Sequence, residues 1–433
     1  MKKVLVYGLG VSGNGAKKLL DKKNIEYICY DDRVNSNIDK KQIITNIKDI
    51  SFIIKSPGIP NNTDLLEEAR KNSIEIIDEI EFAFLHSEYK IIAITGSNGK
   101  TTVTTKIKEL LEISGKKVEF AGNIGNSFAE IVADEKELDY LVLELSSYQL
   151  ENIKTFKPYI SMIINLTPDH LNRYSSLKEY YDAKYNIMKN QDENCYTIVN
   201  CDDNEIKNRI GVEKPYINHI KISKYKQNVD FFVKNGKIAY KGNYLDIEKF
   251  SLKGEHNLEN ILFILSVASI IKIPFSIVEN FLYSTKSLEH RMENFYKYKN
   301  TIFINDSKGT NTDATQKALE SYNEKLIFIC GGEDKKIDLE PLGKLIKNQV
   351  KFLFLIGETS DILEKIAINN DFPRENIYNL KELEKVINKI KEIVNFNEKN
   401  IVLFSPAASS FDQFKNFEVR GKFFKEKIQE IIN

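Results

Sequence analysis

Short runs of β-branched and aliphatic residues alternate along this chain with stretches whose apolar positions recur at helical spacing. The runs are Val4 to Tyr7, Ile25 to Tyr30, Phe52 to Ile54, Ile91 to Thr95, Leu138 to Leu145 and Tyr159 to Asn165. Strands alternating with helices in this way predict an α/β fold, with parallel sheets covered by helices. The rhythm restarts near Tyr89-Lys90 and again at Thr301 to Asn305. Three domains are therefore expected, over 1–89, 90–288 and 289–433. Between about 225 and 255, the glycine-punctuated runs Val229 to Val233 and Lys237 to Tyr240 predict a small antiparallel hairpin inserted in the middle domain.

Composition narrows the function. The 433 residues include 62 Lys+Arg and 62 Asp+Glu. That balance lacks the basic excess of nucleic-acid binders, so an anionic ligand has to be held locally. No apolar run approaches the roughly 18 residues that span a bilayer, and the start Met1 to Tyr7 breaks at Gly8 and Gly10 before it makes a signal sequence. The expectation is a cytoplasmic monomer with neither a membrane span nor a nucleic-acid partner. Cys29, Cys195, Cys201 and Cys330 lack metal-ligand spacing and read as buried free thiols.

The loop Gly8-Leu9-Gly10-Val11-Ser12-Gly13 follows a strand and opens a helix, and Asp31-Asp32-Arg33 ends the next strand. This is a Rossmann-like arrangement, whose glycine turn binds pyrophosphate generically. Nothing after Ser56-Pro57-Gly58 offers the nicotinamide half-site that hydride transfer needs.

The strand Ile91 to Thr95 empties into Gly96-Ser97-Asn98-Gly99-Lys100-Thr101-Thr102. Such a turn crowds backbone N–H groups around phosphate oxygens, while the lysine offsets their charge and a hydroxyl reaches the accompanying Mg²⁺. It departs from the general P-loop spacing, which wants glycine where Ile94 stands. Two acidic strand ends follow, at Glu144 and at Asp169-His170, and a carboxylate so placed either faces water or holds a nucleotide's Mg²⁺. Residues 176–190 read as an amphipathic helix in which Lys184 shares the apolar face with Leu177, Tyr180, Tyr181, Ile187 and Met188. A lysine there either extends its ammonium to the edge or serves chemistry favoured by a lowered pKa, including carbamate formation with CO₂.

Ten ordered blocks carry a family resemblance over essentially the whole chain. Among them are Thr95 to Thr101, Gly122 to Gly125, Glu144 to Leu150, Asp169 to Leu171, Ala183-Lys184, Gly254 to Asn260, His290-Arg291, Asn305 to Asn311, Gly331 to Lys335 and Ser405 to Phe414. In these blocks the chain resembles the Mur ligases of peptidoglycan synthesis, and its Glu144 to Leu150 block and C-terminal Ser410 to Gly421 stretch favour the D-glutamate-adding branch. The resemblance implies Rossmann-like N- and C-terminal domains around a central P-loop ATPase-type parallel sheet. It also implies ATP-dependent amide formation between UDP-N-acetylmuramoyl-L-alanine and D-glutamate through an acyl phosphate.

The site residues it implies are specific. Gly96 to Thr102, with Asn260, Arg291 and Asp306, would bind ATP, and Lys100, Glu144, His170 and Lys184 would be catalytic. One Mg²⁺ would lie on Thr101 and Glu144, and a second on His170 and a carbamate that CO₂ forms on Lys184. Val11, Ser12, Asp31, Asp32, Arg33, Ser56, Asn123 and His170 would take the UDP substrate. Asp169, Thr310, Lys335, Ser410, Phe411 and Phe417 would take D-glutamate. Asp31-Asp32 also puts extra negative charge where a UDP group would dock.

Overall fold

The computed structural model describes residues 2–34, 38–168, 173–213, 217–252 and 254–432. They form two compact units, Met1–Phe250 with Asn257–Tyr283, and Ser251–His256 with Ser284–Asn433. The first unit holds two sheets and the second holds one.

Strands β1 (Lys3–Tyr7), β2 (Tyr27–Tyr30), β3 (Ile50–Lys55) and β4 (Glu75–Asp78) make a parallel sheet in the order β2-β1-β3-β4. The second sheet is built from β5 (Ile91–Thr95), β6 (Val118–Gly122), β7 (Tyr140–Glu144), β8 (Ile160–Ile163), β9 (Tyr196–Asn200), β10 (Asn218–Ser223), β11 (Phe231–Lys234), β12 (Lys237–Tyr240) and β13 (Asn243–Asp246). Its order is β13-β12-β11-β10-β9-β8-β5-β7-β6, parallel except for the antiparallel β11-β12-β13 edge. The expected hairpin is this edge, with β13 added to it. Every residue of β5 is buried, as a strand covered on both faces requires. Because β7 and β8 flank β5 on opposite sides, the strand order reverses at its C-terminal end, where such sheets open a ligand crevice.

The two sheets of the first unit share one continuous apolar core, from Val4, Val6 and Leu19 to Phe128, Leu143 and Phe156. A buried polar network joins them as well. Lys55, fully enclosed, has its ammonium 3.4 Å from Asp78 Oδ1 and 3.5 Å from Glu151 Oε2, and donates to the Ile59 carbonyl. Glu81 accepts from the backbone N–H groups of Lys154, Thr155 and Phe156, and Glu79 accepts from that of Ala129 at 2.5 Å. The acidic run Asp78-Glu79-Ile80-Glu81 is an internal joint. Its carboxylates satisfy backbone donors that would otherwise be orphaned on burial.

In the second unit, β14 (Glu293–Tyr298), β15 (Thr301–Asn305), β16 (Leu326–Gly331), β17 (Val350–Ile356), β18 (Ile377–Lys381) and β19 (Asn400–Phe404) form a sheet. The order is β14-β15-β19-β16-β17-β18, parallel apart from β14. Cores on its two faces centre on Leu326, Phe328 and Leu403, and on Phe354, Ile387 and Phe424.

Some sequence boundaries shift. The run at Ile25 becomes a strand only from Tyr27, and the helix expected over 176–190 spans Leu177–Tyr185, followed by a single 3₁₀ turn. Leu177 is exposed, contrary to its assignment to the apolar face, because it starts the first turn beside the Ser176 cap. The cysteines are free thiols, all buried except the half-buried Cys29. Among the described residues, no helix is long and apolar enough to cross a membrane.

Candidate functional site

The loop after β5 is held by groups around its base. Gly99 caps the helix Lys100–Ile113 at φ 85°, and a Cβ built on it would lie 2.8 Å from Asn260 Oδ1. Only glycine keeps this left-handed turn while leaving Asn260 its place. Ser97 Oγ donates to the Thr167 carbonyl and accepts from the Thr167 N–H, and it lies 3.1 Å from the Tyr180 hydroxyl. The side-chain oxygen of Asn165 accepts from Asn98 N–H while its amide donates back to the Asn98 carbonyl. The loop is thus held by the chain's own groups.

Two lysines converge on it. Lys100 Nζ donates to the carbonyls of Gly96 (2.8 Å) and Ser97 (2.9 Å), and Lys184 Nζ reaches the same Gly96 carbonyl at 2.8 Å. Lys184 is 2% exposed, so its position on the apolar helix face does bury it, with its ammonium 4.7 Å from the Tyr180 ring centre.

Glu144 ends β7 directly beside Ile94 of β5. It is buried, and its Oε1 accepts from the Asn123 side-chain amide at 2.8 Å. Among the described residues, its Oε2 has no hydrogen-bond partner. A buried carboxylate oxygen with no donor costs free energy unless a further group binds it. A hard divalent cation fits this oxygen, with the Thr101 hydroxyl one residue beyond Lys100. Asp169 and His170 lie outside the described residues.

At the first sheet's C-terminal edge, Ser56 Oγ donates to the Gly8 carbonyl, which draws the loop after β3 against the glycine turn. Asp31 accepts from the N–H groups of Leu9 (2.6 Å) and Arg33 (2.8 Å). Asp32 accepts from the hydroxyls of Tyr7 (2.6 Å) and Tyr30 (2.8 Å). Burial, and then the Asp32 hydrogen bond, pushes the Tyr30 hydroxyl up to about 12, so it remains a donor. Both acids are therefore engaged in shaping the turn; against burial, which raises it, the Tyr7 and Tyr30 bonds hold the Asp32 carboxyl below its ordinary value, so its negative charge remains at this edge. Val11 is 64% exposed at the start of its helix, with Ser12 half-buried behind it.

In the second unit, Asp306 is buried at the end of β15 and accepts from Ser405 Oγ (2.7 Å) and Met292 N–H (3.1 Å). Burial raises its carboxyl to about 6, against the lowering by those bonds and by the Arg291 charge. The residues flanking Arg291 hold positive φ, 62° at His290 and 44° at Met292, a strained turn that presents Arg291 beside Asp306. Lys335 Nζ lies 3.4 Å from the Thr310 carbonyl, so these two D-glutamate candidates meet. Ser410 is buried, Phe411 is 66% exposed and Phe417 is half-buried.

Sequence reasoning passed over Arg173. Its guanidinium donates to the carbonyls of Pro57 (3.3 Å) and Ile59 (2.9 Å), pairs with Glu151 at 3.1 Å and lies 4.7 Å from the Tyr148 ring centre. It thereby ties the loop after Ser56 to the segment that follows His170. Its position three residues beyond His170 was the available signal.

Residues 94–268 match the Mur ligase middle domain, and residues 290–408 match the Mur ligase glutamate ligase domain. The chain is 45% identical to the UDP-N-acetylmuramoylalanine--D-glutamate ligase of Fusobacterium nucleatum, with 100% of both chains covered. It belongs to the Mur ligase family. Ligases of the same name from Thermoanaerobacter pseudethanolicus and Clostridioides difficile are 37% and 36% identical, with at least 98% of each chain covered. Among solved structures, the UDP-N-acetylmuramate-alanine ligase of Thermotoga maritima superposes with a TM-score of 0.63 at 15% identity, covering 99% of this chain and 100% of that one. A pseudomurein peptide ligase from Methanothermus fervidus gives 0.62 at 19%, with 100% of both chains covered. At such identities these two establish the Mur ligase fold alone.

Proposed function

We propose that this Mur ligase joins D-glutamate to UDP-N-acetylmuramoyl-L-alanine, with ATP cleaved to ADP and phosphate, in the cytoplasmic phase of peptidoglycan synthesis. The observation that carries the chemistry is the preformed loop after β5, with Lys100 and Lys184 at its base and the orphaned Glu144 oxygen beside it. The choice of amino acid is supported by the full-length likeness to D-glutamate ligases.

In this reading the alanyl carboxylate attacks the γ-phosphate, the bond to the β-phosphate oxygen breaks, and ADP leaves. The D-glutamate amine then adds to the acyl phosphate, loses a proton and expels phosphate. Negative charge builds on phosphate oxygens in both steps, and Lys100 with the loop N–H groups offsets it. Thr101 and Glu144 would hold one Mg²⁺, and His170 with a carbamate on Lys184 would hold a second. Bound there, Mg²⁺ would neutralise phosphate charge and bring the attacking carboxylate to it. The carbamate forms as the Lys184 amine nitrogen bonds the carbon of CO₂ and releases a proton, which gives a carboxylate-like ligand.

Arg291 and Asp306 would serve ATP, and Thr310, Lys335, Ser410 and Phe417 would serve D-glutamate, whose carboxylates need such donors. Val11, Ser12, Arg33, Ser56 and Asn123 would receive the UDP-sugar. Phosphate release with each candidate amino acid tests the reading: release with L-alanine or a diamino acid in place of D-glutamate overturns it.

A further inference from the structure

Arg420 is the bulkiest fully enclosed side chain among the described residues, 1% exposed in the helix Phe417–Ile432. A buried guanidinium is expensive unless its donors are spent with good geometry. Here Nε donates to Ser307 Oγ at 3.1 Å, Nη1 to the Ser409 carbonyl at 2.8 Å, and Nη2 to the carbonyls of Ser307 (2.9 Å) and Ala408 (3.0 Å). Ser307 Oγ in turn donates to the Phe417 carbonyl at 2.9 Å. A third segment passes against the same group, since a Cβ on Gly332 would stand 2.9 Å from Nη1. Burial lowers the guanidinium to about 10, so it stays charged at neutral pH.

These contacts share one consequence. The Ser307 segment leads to Thr310, the Gly332 segment to Lys335, and the Ala408-Ser409 segment to Ser410 and Phe411, while Phe417 begins the helix of Arg420 itself. Four positions assigned to D-glutamate therefore hang from three segments that meet on one side chain, and a fifth, Phe417, begins the helix that carries it. We propose that Arg420 is a positioning residue for the amino-acid substrate, setting the spacing of Thr310, Lys335 and Ser410 without touching the substrate. This rests on the function proposed above. A planar fork that serves three carbonyls and a hydroxyl at once is a task for arginine, because the ammonium of lysine is a point donor.

The test compares Arg420→Lys and the milder Ser307→Ala with the parent in steady-state phosphate release. Each substrate is varied in turn, and the melting temperature of each variant is recorded. Arg420→Lys should raise the KM for D-glutamate by about tenfold or more, leaving the KM values for ATP and UDP-substrate within about threefold. Ser307→Ala should move the D-glutamate KM the same way by about threefold. An unchanged D-glutamate KM, or three KM values rising together, overturns the proposal; if Arg420→Lys does not fold, Ser307→Ala decides on the same criterion. Should the parent use another amino acid, the functional reading falls, and the KM split read with that amino acid still decides the role of Arg420.

Discussion

Glu79 makes the sharpest physical prediction. It is 1% exposed, its Oε1 accepts from the Ala129 N–H, and among the described residues its Oε2 has no hydrogen-bond partner. Burial raises its carboxyl from 4.5 to about 7; the Ala129 bond opposes this and the neighbouring Asp78 charge adds to it. In the unfolded chain the group ionises near its ordinary value, whereas the folded protein keeps the proton until the pH nears 7. Across that window the unfolded state binds fewer protons, so stability falls as pH rises and levels off above it. At about 1.4 kcal/mol per pH unit, full ionisation costs the fold about 3 kcal/mol.

Glu79→Gln keeps the acceptor for Ala129 and removes the titration. Urea unfolding of parent and variant at pH 5 and pH 8 reads the effect. The variant should gain on the parent by about 2–3 kcal/mol between the two conditions, since the parent alone has to ionise a buried acid. Parallel pH dependence in the two proteins would refute the reasoning, as would a parent more stable than the variant at pH 8.

Other expectations follow from the same geometry. Gly99→Ala forces a Cβ toward Asn260 at positive φ, and should raise the KM for ATP by about tenfold while lowering stability by about 1 kcal/mol; unchanged ATP kinetics would contradict the loop assignment. Lys184→Ala should lose activity by about 100-fold or more and regain part of it with an added short carboxylate. Parental activity in that variant, with or without the additive, would remove the carbamate from the account. Lys55→Met leaves Asp78 and Glu151 buried without their central cation and should cost about 3–5 kcal/mol in urea unfolding. A loss below about 1 kcal/mol would show that the joint between the first two sheets does not depend on that ion pair. Arg173→Ala frees the loop after Ser56 and should raise the KM for the UDP-substrate about tenfold, more than that for ATP. Equal changes in both would leave Arg173 a structural role only.

The central strands and the loop after β5 were legible because their signals are local: four apolar residues ending in Thr95, then glycines and Lys-Thr at fixed spacing. Lys184 was legible for a similar reason, since a cation on an apolar helix face is visible in the period. What escaped depends on contacts distant in sequence. Glu79 and Glu81 turn inward to backbone donors some 50 to 75 residues away, which no local pattern marks. Arg420 lies among charged neighbours in a C-terminal helix, and nothing local marks it as enclosed by segments around 307, 332 and 408. The acids Asp31 and Asp32 were seen, yet their roles as turn acceptors required the positions of Leu9, Tyr7 and Tyr30. Strands β9 and β10, which widen the middle sheet, were not distinguished because their flanking turns carry few glycines.

In the proposed reaction the groups around β5 activate a substrate carboxylate for attack by D-glutamate. The most direct measurement is release of inorganic phosphate from ATP with UDP-N-acetylmuramoyl-L-alanine and Mg²⁺ present, with and without D-glutamate. Stoichiometric phosphate and UDP-N-acetylmuramoyl-L-alanyl-D-glutamate are expected only when all three substrates are present, with loss of both products in Lys100→Ala. Sustained phosphate release without D-glutamate, or ATP binding with no turnover on any amino acid, would contradict the proposed reaction.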